Sequence, residues 1–154
     1  MRITKLLLAF SLFTAMLAIG CSGPKLVPVT GKLTMNGAPI KNVKVEFHPD
    51  PDKGTKGPSS YGITDAEGNF TLVSNDKDGA PGAIVGHHRV VCTDLDVYGN
   101  VFVGRGDYRT EDPAGPKETP KYPRFGAVYS DLSNTPFRQE VIAGMAPVSF
   151  DIKK

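Results

Sequence analysis

Residues 43–48 read Val-Lys-Val-Glu-Phe-His, in which apolar and polar side chains alternate strictly. Alternation with a period of two predicts a β-strand with one buried face and one solvated face. The same period appears upstream in residues 29–35, and the Asn36-Gly37 pair that follows is typical of a tight turn. The start of this region therefore predicts β-structure.

Downstream, residues 61–64 and 69–74 flank the sequence Asp65-Ala66-Glu67-Gly68, which predicts a hairpin with a bulged turn. Further strands are predicted at residues 86–92, 101–103, 137–141 and 148–152. No helical period follows residue 26. The pattern predicts an all-β fold: a single seven-stranded antiparallel β-sandwich spanning residues 27–154.

The composition agrees with a globular domain rich in turns. The 154 residues are 40% hydrophobic and 22% charged, and they include 17 glycines and 13 prolines. The formal net charge is +2, but Arg2 and Lys5 lie in a segment predicted to be removed, which leaves 16 basic and 16 acidic residues. A chain near neutrality has no electrostatic footprint for nucleic acid, so we expect no nucleic-acid partner.

The N-terminus has the features of a secretory signal peptide. Two basic residues precede residues 6–19, which carry no charge. A helix over those residues would reach about 21 Å, short of the roughly 30 Å hydrocarbon core of a bilayer. A basic start, a short apolar middle and a small residue at the end predict a signal peptide at residues 1–20, with a signal helix preceding the sandwich.

Leu17-Ala18-Ile19-Gly20-Cys21 resembles the lipobox of bacterial lipoproteins. The resemblance implies cleavage between Gly20 and Cys21, a diacylglyceryl group on the Cys21 thiol and a lipidated tether over residues 21–26. Ser22, which is not aspartate, implies sorting to the outer membrane, facing the periplasm. The alternative is an ordinary cleaved signal with a chance cysteine. Several acyl chains would hold the protein to the membrane almost permanently, at about 0.8 kcal/mol per buried methylene.

Acylation of Cys21 would leave Cys92 as the one remaining thiol, so no disulfide within the chain is expected. Cys92 follows Arg89-Val90-Val91 in a predicted strand. There we interpret it as a small buried apolar residue, not as a reactive thiol.

Motifs along most of residues 27–152 resemble the carboxypeptidase-regulatory-like, transthyretin-like β-sandwich of small bacterial lipoproteins. They are Val29-x-Gly31-x-Leu33, Gly37-x-Pro39-Ile40, Thr64-Asp65-x-x-Gly68-x-Phe70-x-Leu72, Gly86-x-His88-x-Val90, Tyr129-x-Asp131, Thr135-x-Phe137 and Phe150-x-Ile152. The resemblance implies a seven-stranded sandwich of the prealbumin-like or immunoglobulin-like kind. It implies no catalytic residue and no cofactor.

The search for catalytic chemistry finds weak candidates. No Gly-x-Ser-x-Gly elbow is present. Tyr108-Arg109-Thr110 is similar to the Tyr-Arg-Gly-Ser ending of a transthyretin-like hydrolase of an oxidised purine, but it differs in two of four residues and in its place in the chain. A hydrolase would require a pocket with a nucleophile beside His48 or His87.

Metal binding has two possible sources in the sequence. His87 and His88 are adjacent in a strand and should point to opposite faces, so they should not share one ion. Hard oxygens for calcium could come from loops that carry Asp50, Asp52, Asp94 and Asp96. The expectation is that no metal is bound.

Two loops are the candidate recognition regions, at residues 50–60 and 95–135. The second carries five aromatic residues: Tyr98, Tyr108, Tyr122, Phe125 and Tyr129. They indicate either a binding surface for a glycan or a protein or, the interpretation we favour, a loop pinned to the sandwich. The sequence thus predicts a non-enzymatic, membrane-anchored envelope lipoprotein that acts as a binding or structural module, with an envelope protein or a glycan as its possible partner. The alternatives are a carbohydrate- or calcium-binding module and, after these, a hydrolase.

Overall fold

The computed structural model describes residues 25–76, 78–98 and 122–153, without the side chain of Tyr98. The predicted signal peptide, Cys21 and the predicted strand at residues 101–103 lie outside the described residues. Within the described ranges the regular structure is β-strand and short 3-10 turns, with no α-helix. The all-β prediction is confirmed.

The described residues form eleven strands. They are β1 (Leu26–Val27), β2 (Thr30–Met35), β3 (Ala38–Pro39), β4 (Val43–Pro49), β5 (Ser60–Ile63), β6 (Asn69–Thr71), β7 (Val73–Ser74), β8 (Ala83–Ile84), β9 (Gly86–Asp94), β10 (Phe137–Val141) and β11 (Val148–Ile152). The 3-10 turns are Pro51–Lys53, Leu95–Tyr98 and Ala127–Tyr129. The count differs from the expected seven because four strands, β1, β3, β7 and β8, are only two residues long.

Two main sheets are present. The first has the order β10-β9-β4-β5-β7 and is antiparallel throughout, with β4 paired to β9 from Val43 opposite Asp94 to Pro49 opposite His88. The second has the order β11-β2-β3, with β6 also paired to β2. A two-stranded sheet joins β1 to β8.

The core consists of the inward-facing residues of both main sheets. The alternation that predicted β4 places Val43, Val45 and Phe47 inside at 0% exposure. The Phe47 ring meets the ring of Phe150 from the other sheet edge to face, at 6.0 Å between centroids. Burying one such side chain contributes roughly 1.5–3 kcal/mol. The fold is therefore sandwich-like, as the alternation predicted.

One strand pair corrects the expectation of a wholly antiparallel fold. Strand β11 pairs with β2 in parallel, from Val148 opposite Gly31 to Ile152 opposite Met35. The cause is the connection after β10: residues 142–147 carry the chain from the five-stranded sheet to the other sheet. Strand β11 therefore starts at the same end of the sandwich as β2 and runs beside it in the same direction.

The predicted hairpin around Asp65-Ala66-Glu67-Gly68 is only partly correct: residues 73–74 of the predicted 69–74 strand pair with β5, but residues 69–71 do not. The turn forms, with the Asn69 carbonyl accepting from the Asp65 N–H at 2.9 Å. However, β5 pairs with β4 and β7, whereas β6 pairs with β2 in the other sheet. The chain changes sheets at this turn, which places Phe70 in the core at 3% exposure.

The register gives the sandwich two distinct ends. The Lys25 end comprises residues 25, 49–59, 85 and 142–147, where β4 and β10 finish and β9 begins. The Arg124 end comprises residues 41–42, 94–98 and 122–129, where β4 begins and β9 finishes. These two names are used below.

Candidate functional site

The two predicted recognition loops lie at opposite ends of the sandwich. Residues 50–59 follow β4 at the Lys25 end, and the described parts of 95–135 begin after β9 at the Arg124 end. The described parts of the two loops therefore do not form a single site. Since Lys25 is four residues from Cys21, the Arg124 end is the end farther from the predicted lipid.

An ion-pair cluster organises the Arg124 end. Arg124 donates from Nε to Asp94 Oδ2 at 2.9 Å and from Nη2 to Asp94 Oδ1 at 2.6 Å. Its Nη2 also donates to the Lys41 carbonyl at 2.9 Å, and its Nη1 lies 3.2 Å from Asp96 Oδ2. A two-pronged arginine–carboxylate pair fixes direction as well as distance. We call Arg124, Asp94, Asp96 and Asn42 the Arg124 clamp.

Charge and burial are balanced inside the clamp. The Asp94 side chain is 3% exposed, and burial by itself would raise its pKa. The hydrogen bonds and the positive charge of Arg124 outweigh burial, so the pKa of Asp94 lies below its usual value. The same carboxylate raises the pKa of Arg124. The pair is therefore charged at neutral pH.

Asn42 completes the clamp through an unusual backbone conformation. Its φ is 58°, in the left-handed region that asparagine tolerates better than most residues. Its side-chain amide donates to Asp96 Oδ1, while its carbonyl accepts from the Leu95 N–H at 3.1 Å. The clamp thus holds the residues just before and just after residues 99–121 on one end of the sandwich.

Two aromatic residues near the clamp pack into the core. Phe125 and Tyr129 are 7% and 8% exposed, and their rings meet edge to face at 6.1 Å. The Tyr129 hydroxyl accepts from the Lys153 N–H at 2.9 Å. These two residues pin the chain to the sandwich, which is the structural interpretation favoured above. Tyr108 lies outside the described residues.

Three large side chains within residues 122–132 face solvent. Tyr122 is 91% exposed, Val128 is 45% exposed and Leu132 is 41% exposed. A tyrosine ring and two aliphatic side chains offer contact area that a protein surface can cover. These three exposed side chains, in the segment that Arg124 fixes to the sandwich, are the candidate binding site.

A second arginine cluster lies at the Lys25 end. Arg89 donates from Nε to Asp50 Oδ1 at 3.2 Å, and its Nη2 lies 3.0 Å from the same oxygen and close to Asp52 Oδ2. The hydrogen bonds and charge of Arg89 outweigh the burial of Asp50, so the pKa of that carboxyl is lowered. This cluster fixes the start of loop 50–59.

The four aspartates proposed as calcium ligands do not come together. Asp50 and Asp52 bind Arg89 at one end, whereas Asp94 and Asp96 bind Arg124 at the other. An arginine therefore takes the place that a cation would need in each pair. Within residues 25–76, 78–98 and 122–153, no group of three His, Cys, Asp or Glu side chains is arranged to hold a metal ion.

The adjacent histidines separate as predicted. His88 is 2% exposed, with Nδ1 3.0 Å from the Gly86 carbonyl, and burial lowers its pKa. His87 is exposed on the outer face, 3.9 Å from Glu140. His48 lies opposite Arg89 in the β4–β9 ladder.

A surface cleft of about 420 Å³ lies beside β7. It is lined by Tyr61, Val73, Ser74, Asn75, Asp76, Asp78 and Gly79. The Ser74 hydroxyl accepts from the Asp76 N–H at 3.4 Å, which makes it part of a turn. The histidines considered for a hydrolase, His48 and His87, do not line this cleft.

Arg89, Arg124 and Asn42 were not singled out from the sequence. A weak local signal existed, because Asp-x-Asp occurs three times, at residues 50–52, 76–78 and 94–96, each time just after a predicted strand, and the first and third bind an arginine. The arginine that each pair of aspartates binds depends on how the strands pair, and no local sequence pattern encodes that.

Comparison with known proteins gives no relative: no family model, no curated protein and no solved structure matches the chain. In the part of the chain that the structure describes, no helix has the length and apolar character needed to cross a bilayer.

Proposed function

We propose that the protein is a lipid-anchored lipoprotein of the bacterial cell envelope, and that its sandwich is a non-enzymatic binding module. The anchor is supported by the basic start, the apolar run of residues 6–19 and the lipobox-like Gly20-Cys21. Lipid on Cys21 would place the module at the outer membrane, facing the periplasm, as Ser22 suggests. No cofactor or nucleic acid is part of the proposal.

The observation that carries the binding role is the exposure of Tyr122, Val128 and Leu132 in the segment that the Arg124 clamp fixes at its start. Arg124 lies two residues after Tyr122 and four before Val128, and its buried, charged pair with Asp94 holds this part of the backbone. A partner would therefore meet a partly preorganised surface. A protein partner in the envelope fits this mixture of tyrosine and aliphatic side chains.

We also propose that the domain is a carboxypeptidase-regulatory-like, prealbumin-like sandwich built on seven principal strands. The motif at residues 64–72 supports this. Asp65 accepts from the N–H groups of Glu67 and Asn69, Gly68 has a φ of 78°, and Leu72 is fully buried. Each residue of the motif thus has a turn or core role, which agrees with a structural motif and not a catalytic one.

The anchor is tested by metabolic labelling with an alkyne-bearing fatty acid. The full chain should carry label and fractionate with membranes, whereas Cys21→Ser should lose both. Cys92→Ser is the matched control and should keep its label. Label retained on Cys21→Ser, or absent from the unaltered protein, would overturn the anchor. Ser22→Asp should move the protein from outer to inner membrane fractions if the sorting proposal is right.

The binding surface is tested by photocrosslinking in intact envelopes. A photoreactive residue at Tyr122 or Val128 should capture one discrete envelope protein. The same residue at Glu140, which is exposed on β10 opposite His87 and lies towards the Lys25 end, is the control and should not. Identical adducts from all three positions would contradict a specific site. Adducts that contain glycan and no protein would favour the carbohydrate-binding alternative.

A further inference from the structure

The point at which the chain enters the sandwich is held firmly. The Lys25 carbonyl accepts from the Val85 N–H at 3.1 Å. Strand β1 then pairs with β8, with Leu26 opposite Ile84 and Val27 opposite Ala83. The start of the described chain is therefore fixed to one place on the Lys25 end.

The distance from this point to Cys21 is limited by covalent geometry. Lys25 follows Cys21 by four positions, with three residues between them. At roughly 3.3–3.6 Å per residue, the distance from Cys21 to Lys25 is at most about 14 Å. The central strand β9 has nine residues, which extend about 30 Å from one end of the sandwich to the other. A lipid on Cys21 would thus keep the Lys25 end close to the bilayer and leave room for the Arg124 end to point away.

Two exposed aliphatic side chains lie close to the entry point. Val85 is 39% exposed and Ile142 is 52% exposed. Val141 pairs with Gly86 in the antiparallel β9–β10 ladder, so the next residues outward, Ile142 and Val85, lie beside each other. Val85 is also the residue whose N–H binds the Lys25 carbonyl. The exposed apolar pair is therefore directly beside the predicted tether.

Three exposed lysines lie at the same end as the pair: Lys25, and Lys53 and Lys56 of loop 50–59. The loop also carries the exposed Asp52, whose charge is paired with Arg89. The loop is tied to β9 because the Thr55 hydroxyl accepts from the His87 N–H at 2.9 Å. Exposed aliphatic side chains at an end that carries lysines suit the boundary between anionic headgroups and acyl chains.

We propose that the Lys25 end rests directly on the lipid surface, with Val85 and Ile142 at the headgroup–acyl boundary. This inference rests on the proposed acylation of Cys21 and adds an orientation to it: the sandwich stands on the bilayer and presents the Arg124 end to the envelope space. The occupant of the Val85–Ile142 patch is the bilayer that the chain is anchored in.

The test uses the absence of tryptophan from the sequence. Single-tryptophan variants Ile142→Trp and Val85→Trp are purified as the full, cell-processed protein and reconstituted into vesicles of phosphatidylethanolamine and phosphatidylglycerol. Val128→Trp, at the Arg124 end and of similar exposure, is the matched control. Fluorescence quenching by brominated lipids is measured for each, and flotation of the vesicles is measured in the same samples.

Tryptophan at 142 or 85 should be quenched at least about twofold more than tryptophan at 128, with emission shifted to shorter wavelength. Floating protein with equal, weak quenching at all three positions would overturn the orientation and leave the anchor intact. Protein that fails to float would overturn the anchor and this inference together. Quenching at 128 above that at 142 would mean that the sandwich stands the other way up.

Discussion

Arg124 grips Asp94 with two parallel hydrogen bonds, from Nε at 2.9 Å and from Nη2 at 2.6 Å, across a separation of 30 residues. Arg89 and Asp50 form a similar pair at the other end of the sandwich. In both cases the aspartate begins an Asp-x-Asp sequence and accepts from the N–H of the second aspartate. At each end of the central strands, an arginine therefore forms an ion pair with an aspartate that is distant in the sequence.

Replacing Arg124 with methionine should lower the free energy of unfolding by about 2–4 kcal/mol, because it leaves the buried charge of Asp94 without its partner. The measurement is urea denaturation followed by circular dichroism. The control Arg138→Met removes an exposed side chain that donates only to nearby carbonyls, and it should cost less than about 1 kcal/mol. Equal losses for the two variants would contradict a structural role for the clamp.

The clamp should also shape the acid limb of the stability profile. Folding lowers the pKa of Asp94 below the unfolded value of about 3.9, so its stabilisation is complete above that value and is lost as the pH falls through the folded pKa. Asp94→Asn should therefore lose less stability between about pH 4.5 and pH 2 than the unaltered protein. Urea denaturation midpoints measured across this pH range give the dependence of stability on pH.

Two comparisons sharpen the acid test. Arg124→Met should flatten the acid limb at least as much as Asp94→Asn, because burial without the arginine raises the pKa of Asp94, so its protonation at low pH then favours the folded state. Some slope should remain in both variants because Asp151, bound by Lys153, Gly37 and Thr34, has its own pKa lowered to about 2. An acid limb that is identical in all three proteins would show that folding does not lower the pKa of Asp94.

The sequence predicts the strands and buried faces that follow from local alternation. It does not predict which strands pair with each other. The period-two pattern correctly predicted β4 and the inward face of β9, where His88, Val90 and Cys92 are buried. On the other face of β9 the alternation in burial is incomplete, because Val91 is also buried. The pattern gave the wrong partner for β6, since the turn at Asp65–Gly68 has the same local chemistry whether the chain stays in one sheet or crosses to the other. The parallel β2–β11 pair joins residues more than a hundred positions apart, and no local signal encodes it.

The candidate site shows the same division. The burial of Phe125 and Tyr129 follows from the need of a long loop for apolar contacts, and it was anticipated. The Arg124 clamp was not anticipated. In the sequence, Asp94 and Arg124 could equally well be solvated surface residues, and only the fold shows that they pair. The exposure of Tyr122 is likewise a property of the folded surface alone.

Cys92 should be almost unreactive in the folded protein. It is fully buried, and burial raises the pKa of its thiol to about 12, so the reactive thiolate is scarce at pH 8. In a Cys21→Ser background, labelling by a disulfide reagent should be at least about a hundredfold slower in buffer than in denaturing urea, because reaction must wait for opening of the sandwich. Rapid native labelling would mean that the β4–β9 region opens readily.

Gly82 should tolerate no side chain. Its φ is 106°, and a Cβ there would overlap the backbone carbonyl of Val27, which has no flexible end to move aside. Gly82→Ala should therefore cost about 3 kcal/mol or more, or release β1 from β8. Gly144→Ala is the matched control: its φ is also positive, at 72°, but nothing lies within 4 Å of the added Cβ, so only about 1 kcal/mol of backbone strain is expected.

Amide hydrogen exchange distinguishes the two possible effects of Gly82→Ala, which are a loss of global stability and the release of β1 from β8. If β1 is released, the amide of Val85 should lose protection while β4 and β9 keep theirs, because the Lys25 carbonyl no longer accepts from it. If β1 stays paired, global stability should fall and all strands should exchange faster together. Equal costs for Gly82→Ala and Gly144→Ala would refute the close packing of Val27 on Gly82. Release of β1 would also lengthen the effective tether, so this variant should weaken the lipid quenching at Ile142→Trp without detaching the protein from vesicles.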